Sequence, residues 1–319
     1  MALPAGYFLR PFTPDDYDGV IELGRVALDD MPMDAATLRR MDDRREPDEP
    51  WGRSVIVHHD SGQLRGMAQW GQHRGGEFCF FWIAVHPLYR GQGLGDALYK
   101  DMLAGCTPLR PESVHTFGLE NNAQTLAFLK GRGFTEVARN QRSQLTLADF
   151  RPEQFTGALE NLQAQGISIV ALPEILGDSE THRRLYDTEN AVSNDIPSPT
   201  PYVPLPFERW ERNLQQKTLP QGYFIAVEQK SGAFVGVSVL THMPGGSDLH
   251  VPLTGVLPEY RRRGIALALK VHAAQYAKSS GAPVIHTGNA TTNTGMLAIN
   301  ERLGFQKLPA RIRFMRPLR

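Results

Sequence analysis

Apolar and polar positions follow the same order twice along this chain. In each half, short apolar and alternating runs come first, a long apolar run follows, and helical spacing comes after it. The aromatic-rich run Glu77–Val85 predicts a strand that is buried on both faces. Leu94, Leu98 and Met102 then stand at i, i+4 and i+8, which predicts a helix with one apolar face.

The other elements are shorter, and turn-forming residues separate them. In the first half we predict strands over residues 7–10, 54–58, 66–70, 113–119 and 135–147, and helices from 13, over 94–103 and over 123–131. In the second half we predict strands over 167–171, 224–228, 236–240, 283–287 and 311–316, and helices over 265–278 and 296–303. This mixture of elements indicates the α/β (α+β) class.

The turn after each long apolar run carries the most informative pattern. Val85–Gly95 reads VHPLYRGQGLG, and Val256–Ala266 reads VLPEYRRRGIA, 171 positions later. Asn122 and Asn293 keep the same spacing. A constant offset over this length indicates an internal duplication. We therefore predict an N-terminal domain at 1-148, a linker helix at 149-166 and a C-terminal domain at 167-319.

The motif consists of a buried strand, a turn rich in glycine and arginine, and a helix. Elements in this order can bind a pyrophosphate. The first N–H groups of a helix lack partners, and the helix dipole places partial positive charge there. Glycine lets phosphate oxygens approach the backbone and permits positive φ, and arginine adds charge. The structural alternative is a turn that binds nothing.

The pattern Val-x-Pro-x-Tyr-Arg-x-x-Gly-x-Gly/Ala, with the downstream asparagine, resembles the GNAT superfamily of N-acetyltransferases in its tandem form. The resemblance is most specific over Phe80–Tyr99 and Thr254–Lys270. It implies two domains, each with a mixed, mostly antiparallel sheet flanked by helices and V-splayed between its fourth and fifth strands. It also implies acetyl-CoA as the co-substrate. Residues Thr287–Phe305 resemble the tandem GNAT proteins that include mycothiol synthase.

Carried over by position, the resemblance assigns coenzyme contacts in both halves. The first set is Ile83, Ala84, Val85, Arg90, Gly91, Gln92, Gly93, Leu94, Gly95 and Asn122. The second set is Thr254, Gly255, Val256, Arg261, Arg262, Arg263, Gly264, Ile265, Ala266 and Asn293. In each set the turn residues would hold the pyrophosphate, and the strand residues and the asparagine would contact the pantetheine.

Acetyl transfer needs a base for the amine, donors for the carbonyl oxygen and a proton for the leaving thiolate. Glu77 and Asp248 occupy the same repeat position before the fourth strands and are candidate bases. His250, two residues further along, is a rival to Asp248. A solvated turn residue is the structural alternative for both acids.

The sequence departs from the family pattern at the proton donor. Many GNAT enzymes carry a tyrosine seven residues after the motif asparagine, and those positions are Leu129 and Asn300 here. Leucine cannot donate a proton and asparagine is a poor acid, so the general acid stays open. The second half also places Pro252 within its fourth strand, which predicts a bulge or an edge there.

The amino-acid composition limits the kinds of partner and ligand that we expect the protein to bind. A formal net charge of zero excludes the basic footprint of a nucleic-acid binder. Cys79 and Cys106 are too few for a disulfide framework or a metal cluster, so we expect two buried thiols and no metal. The start of the chain has no signal-peptide pattern, and no apolar stretch approaches about 20 residues. We therefore expect a cytoplasmic protein without membrane association.

These observations predict an acetyl-CoA-dependent N-acetyltransferase that transfers the acetyl group directly to a small-molecule amine. One alternative is a non-catalytic acyl-CoA-binding sensor, which the missing tyrosines favour. Another is a mycothiol-synthase-like acetylation of a cysteinyl amine. The acceptor stays open, as does the choice between a monomer and a homodimer. The acceptor loops are expected near residues 30–50 and 193–210.

Overall fold

The computed structural model describes residues 3–28, 34–46, 48–175, 177, 179–217 and 219–318. Within the predicted acceptor loop at 30–50, residues 30–33 and 47 lie outside the described residues. Contacts between residues divide the chain into two compact units. The first unit runs to Val137 and includes Pro244–Gly246 and the end of the chain from Ile312, and the second comprises Ala138–Met243 and Ser247–Arg311. The domain division predicted from the sequence stays a prediction.

The described residues form helices and strands in an order that matches between the halves. The strands are β1 (Tyr7–Pro11), β2 (Trp51–His58), β3 (Leu64–Gln72), β4 (Phe78–Val85), β5 (Ser113–Leu119), β6 (Thr135–Thr146), β7 (Ile167–Ala171), β8 (Tyr223–Glu228), β9 (Phe234–His242), β10 (Leu249–Val256), β11 (Val284–Ala290) and β12 (Gln306–Pro317). The helices are α1 (Tyr17–Ala27), α2 (Ala35–Asp43), α3 (Leu94–Cys106), α4 (Ala123–Lys130), α5 (Thr156–Ala164), α6 (Leu172–Ile175), α7 (Ser179–Asn194), α8 (Phe207–Lys217), α9 (Ile265–Ser279) and α10 (Thr294–Leu303).

In the first unit the strand order is β1-β2-β3-β4-β5-β12. The first four strands pair antiparallel, and β4 pairs parallel with β5. That parallel ladder joins only Phe78–Phe80 to Ser113–His115. Beyond these residues β4 continues to Val85 and β5 to Leu119 without pairing to each other. The predicted splay between the fourth and fifth strands is therefore present.

The second unit repeats this arrangement, with the strand order β6-β11-β10-β9-β8-β7. The parallel ladder joins only Leu249–Val251 of β10 to Ile285–Thr287 of β11. The register of β10 against β9 shifts between His250 and Leu253, whereas β4 pairs with β3 without a shift. Pro252 stands within the shifted segment and has no N–H to donate. The bulge predicted from this proline is confirmed, and it lies where the two strands begin to part.

The helix that follows each turn packs on the sheet through the face predicted from its spacing. In the first unit Leu94, Leu98 and Met102 are fully buried in one apolar cluster. Cys79 and Cys106 lie in the same cluster as buried free thiols. Among the described helices, none has the length and apolar composition that a membrane span requires.

The predicted linker helix is α5, and it belongs to the core of the second unit. A short 3-10 turn, Pro152–Phe155, leads into it. Phe155 and Leu162 are buried in the same apolar cluster as helix α9. The segment therefore contributes to the packing of the second unit.

The parted segment of β10 packs closely against helix α7. A Cβ added to Gly255 would lie 2.6 Å from Val192 Cβ, which is closer than two carbon atoms can approach. A Cβ added to Gly71, a strand glycine of the first unit, would meet Trp51 Cβ at an ordinary 3.7 Å. Only the first glycine is therefore required by packing.

We expect Gly255→Ala to destabilise the protein by about 1–3 kcal/mol, because α7 must move away from β10. Gly71→Ala is the matched control and should change stability by less than about 0.5 kcal/mol. Calorimetric unfolding of the two variants and of the wild type makes the comparison. An equal loss in both variants would show that the contact with Val192 is not the cause.

Candidate active site

The two glycine-rich turns have the same backbone conformation. Gly93 and Gly264 precede helices α3 and α9 with φ of 87° and 89°. Two residues earlier, Gly91 has φ of 78° and Arg262 has φ of 63°. A non-glycine residue in this region is strained by about 1 kcal/mol or more. The second half therefore retains the turn even where its glycine has been replaced, which suits a turn that presents N–H groups to an anion.

The first arginine of each turn closes the turn. Arg90 Nε donates to Val85 O over 3.0 Å, and Arg261 Nε donates to Val256 O over 3.1 Å. The Arg261 guanidinium also forms an ion pair with Asp195. Both arginines add positive charge beside the helix N-terminus, while their hydrogen bonds fix the path of the chain from strand to turn.

The last small residue of each motif is explained by helix packing. A Cβ added to Gly95 would lie 3.1 Å from Phe128 Cε2 on α4, a tight contact that favours glycine there. In the second half, Ala266 stands at the position of Gly95 and Ile299 at the position of Phe128. The extra methyl group of the alanine is thus accompanied by a smaller side chain on the facing helix. This glycine, predicted to hold phosphate, therefore also serves contact between helices.

The predicted pantetheine-binding strand residues lie on the parted segments. Ile83–Val85 pair with β3, and Thr254–Val256 pair with β9. Neither segment pairs with the parallel strand on its other side in the described ladders. These edges therefore offer backbone groups to an extended ligand.

The two motif asparagines are helix caps. Asn122 Oδ1 accepts from the N–H of Thr125 over 3.0 Å at the start of α4. Asn293 Oδ1 accepts from the N–H of Met296 over 3.2 Å at the start of α10. Each side-chain oxygen therefore stabilises the start of the helix that follows.

The structure distinguishes the two candidate carboxylates. Asp248 Oδ2 lies 2.9 Å from His286 Nε2, and both side chains are half-buried. Glu77 is exposed, and its carboxylate makes no hydrogen bond or ion pair with a described residue. A carboxylate that orients an imidazole is a known arrangement for proton transfer, whereas a solvated acid has no such support. Asp248 is therefore paired with an imidazole, whereas Glu77 is not.

His250 joins this pair from the neighbouring strand. Its Cα is the register partner of the Cα of His286 across the parallel ladder. Burial, followed by the charges of His286, Arg311 and Lys270, lowers the pKa of His250 to about 4. An imidazole with so low a pKa stays neutral and is a weak base. The Asp248–His286 pair is the remaining candidate for a proton acceptor in this cluster.

His286 was missed by the sequence reasoning, although a signal was available. It stands on β11 at the repeat position of His115, next to the strand that carries Asp248 and His250. Parallel pairing of the fourth and fifth strands would have placed it beside them.

The first half fills the corresponding place differently. Phe80 and Phe117 stack with their ring centroids 5.5 Å apart, on the two strands that part there. His115 is buried and accepts from Arg313 Nε over 3.0 Å. Burial, followed by the charge of Arg313, lowers the pKa of His115 to about 4. Among the described residues of this unit, the splay therefore has an aromatic lining and no counterpart of the Asp248–His286 pair.

Comparison with known proteins identifies the family. A model described as Acetyltransferase (GNAT) family matches residues 188–305, and one described as Acetyltransferase (GNAT) domain matches residues 50–136. The chain belongs to the GNAT acetyltransferases and carries the domain twice. The prediction of an N-acetyltransferase is confirmed at this level. Members of the family take their acetyl group from acetyl-CoA.

Individual relatives are similar over most of the chain. A mycothiol acetyltransferase of Nocardiopsis dassonvillei is 24% identical over 239 residues, which are 70% of each chain. The GCN5-related N-acetyltransferase of Sphaerobacter thermophilus has a TM-score of 0.79 at 22% identity, covering 100% of this chain and 98% of that one. A tandem GNAT protein from the clavulanic acid biosynthesis pathway has a TM-score of 0.77 at 18% identity, covering 98% of both. The two structures confirm the predicted fold.

The capping asparagines can be tested apart from any ligand. We expect Asn122→Ala and Asn293→Ala each to cost about 1 kcal/mol of stability, because each leaves a helix N–H without its partner. Asn→Asp at either position should keep most of the stability, since the carboxylate accepts the same hydrogen bond. Thermal unfolding without ligand provides the measurement. Wild-type stability in both alanine variants would mean that the caps contribute nothing.

Proposed function

We propose that this chain is an acetyl-CoA-dependent N-acetyltransferase that acetylates a small-molecule amine by direct transfer, with its chemistry in the C-terminal half. The Asp248–His286 pair is the observation that carries this proposal. It lies at the start of β10 and β11, just before the two strands part. The glycine-rich turn lies at the other end of β10, so the base and the pyrophosphate site are joined by one strand.

The residues of the second half fit the coenzyme. The turn before α9 is exposed, and a Cβ added to Gly264 would meet no heavy atom within 4 Å, so the backbone there is open to a phosphate. The parted edge of β10 would hold the pantetheine through Thr254–Val256. When bound, acetyl-CoA supplies an activated acetyl group as a thioester. Backbone N–H groups on the same edge would stabilise the charge on the carbonyl oxygen.

The Asp248–His286 pair would take a proton from the acceptor amine. The Asp248 carboxylate orients the His286 ring, and the free ring nitrogen is left to face the amine. The neutral, half-buried His250 would line the same place without competing for the proton. Direct transfer requires no nucleophilic side chain, and it agrees with a site built from a base and backbone donors.

A small amine is the acceptor that fits the chain's charge. The formal net charge is zero, and no basic or acidic surface for a macromolecular partner follows from the sequence. The 24% identity with a mycothiol acetyltransferase favours a second candidate, the acetylation of a cysteinyl amine attached to a sugar. Both candidates use the same base and differ only in the acceptor.

Thiol release from acetyl-CoA in the presence of a panel of amines, including a glycosylated cysteine, tests the function. We expect at least one amine to raise release above background, and we expect Asp248→Asn to lower kcat/KM for it by about 10²–10⁴-fold. Glu77→Gln, at the same repeat position, should stay within about twofold of the wild type because its carboxylate is solvated. A loss in Glu77→Gln with wild-type activity in Asp248→Asn would move the chemistry to the first half. Coenzyme binding without release for any amine would favour a binding protein.

Calorimetric titration with acetyl-CoA tests the two turns. Because the turns share one conformation, we expect two sites in the wild type and one in each of Gly93→Glu and Gly264→Glu, where a carboxylate faces the pyrophosphate. Only Gly264→Glu should abolish turnover. Thermal unfolding of both variants controls for the strain of a side chain at positive φ. Binding with no change in either variant would remove the turns from the coenzyme site.

A further inference from the structure

One repeat position places an unsatisfied polar group in the core of each half. Tyr99 on α3 and Lys270 on α9 stand at the same place in the two copies. Tyr99 is 6% exposed and Lys270 is 3% exposed. Neither Tyr99 Oη nor Lys270 Nζ has a hydrogen-bond partner among the described residues. The same repeat position thus carries a buried proton donor in both halves, a phenol in the first and an amine in the second.

This position lies beside the splay. The Tyr99 ring centroid is 5.9 Å from that of Phe81, the first β4 residue beyond the parallel ladder, and 6.3 Å from that of Phe128 on α4. The repeat counterpart of Phe81 is Pro252, in the bulge where β10 and β11 part. Lys270 stands on α9, which packs on β10, and its charge acts on His250 of that strand.

An unsatisfied acceptor lies on helix α10, which packs against α9. Asn300 on α10 is 3% exposed, and its Nδ2 donates to Asn289 Oδ1 on the parted segment of β11 over 2.8 Å. Its Oδ1 has no hydrogen-bond partner among the residues the structure describes. Phe305 connects the two groups, because its ring centroid is 5.0 Å from Lys270 Nζ and its N–H donates to Asn300 O over 3.0 Å. A buried donor on α9 and a buried acceptor on α10 thus lie on two helices that pack against each other, and the Asn300 side chain reaches the parted segment of β11 through Asn289.

A purely structural role does not explain Lys270. A buried amine with no hydrogen-bond partner destabilises a fold, and a leucine or methionine would fill the same volume without that cost. The structure shows no ion pair that would offset the burial of this amine among the described residues. The Lys270 ammonium lies over the Phe305 ring, and a methionine would pack on that ring as well.

We propose that Lys270 is the proton donor to the leaving thiolate of coenzyme A, in the place of the tyrosine that the family pattern leads one to expect at position 300. The proposal rests on the proposed function of the C-terminal half. As the amine nitrogen bonds to the acetyl carbon, it gives one proton to the Asp248–His286 pair. The carbon–sulfur bond breaks, its electron pair stays on sulfur, and sulfur takes a proton from the Lys270 ammonium. Exchange with solvent restores both groups.

The surroundings of Lys270 suit this role. Burial lowers its pKa to about 7, close to neutral pH, so that the ammonium can give up a proton readily. The charge of Lys270 acts on His250 of β10, which stays neutral, and the charges of His286 and Arg311 act on the same imidazole. Asn300 and Phe305 bring no charge from the side of α10. A donor with this pKa is a reasonable match to a thiol, whose ordinary pKa is about 8.5.

The test compares Lys270→Met with Tyr99→Phe, the matched change at the same position of the first half. We expect Lys270→Met to lower kcat by about 10²–10³-fold and to remove the fall of kcat at alkaline pH that deprotonation of Lys270 causes. Lys270→Met should weaken the binding of free coenzyme A by at least tenfold, because the contact between the ammonium and the sulfur is lost. The affinity for acetyl-CoA should change by less than about threefold. Tyr99→Phe should match the wild type in turnover.

Stability provides a readout without any ligand. A lysine with a pKa of about 7 in the fold and about 10.4 when unfolded destabilises fully below pH 7, and the penalty disappears as the pH rises through that window. Lys270→Met should therefore unfold a few degrees higher than the wild type at pH 6, with the gain shrinking toward pH 10. A gain of constant size would show that Lys270 is not buried as an amine.

A second variant guards against misfolding. Lys270→Arg keeps the charge but cannot release its proton, so it should bind free coenzyme A and still turn over slowly. Wild-type kcat in Lys270→Met or in Lys270→Arg, with the alkaline fall retained, would overturn the proposal. That outcome leaves the proposed function intact, because the proposed function requires only that the wild type release thiol in the presence of an amine. Absence of release in the wild type would overturn the function itself.

Discussion

The site depends on a parallel ladder that ends after three residue pairs. In both units the fourth and fifth strands are joined over Phe78–Phe80 and over Leu249–Val251, and then part. Backbone N–H and C=O groups that leave a ladder need another partner, and in the interior of a sheet a bound chain can supply it. The cost of parting the strands is thus recovered when an extended ligand such as a pantetheine enters. Everything else at the site is arranged around that opening.

The duplication shows which features the opening requires. Both copies keep positive φ before the helix, the arginine that bonds to the last strand carbonyl and the asparagine that caps the next helix. The second copy holds Arg262 at positive φ where the first has glycine, so the conformation is kept although the residue has changed. Side chains at the start of the fourth and fifth strands are not kept. The scaffold for the coenzyme is therefore common to both halves, and the surroundings of the reacting atoms are particular to each.

Much of the fold and of the turn could be predicted from the sequence, because these features depend on patterns of residues that are close together along the chain. The repeated turn indicated the helix N-terminus, and the family pattern around the apolar fourth strand indicated the splay. Pro252 indicated the bulge. The partners of the side chains could not be predicted, since they depend on register between strands distant in the sequence. His286 meets Asp248 only because β10 and β11 are parallel and in that register. The catalytic and coenzyme-binding assignments stay predictions for the same reason: the pattern fixes where the residues stand along the chain and says nothing of what they bind.

The bulge at Pro252 explains how His250 comes to lie beside His286 in one half. Cys79 and Phe81 of the first half point into the apolar cluster beneath α3. In the second half, Leu249 and Val251 point into the cluster beneath α9, although the repeat alone would place His250 there. One extra residue in a strand turns every side chain before it to the opposite face. The bulge therefore moves His250 out of the core and onto the face it shares with its register partner, His286. A histidine at that position without a bulge would have been buried beneath the helix, so the change in backbone and the change in chemistry belong together.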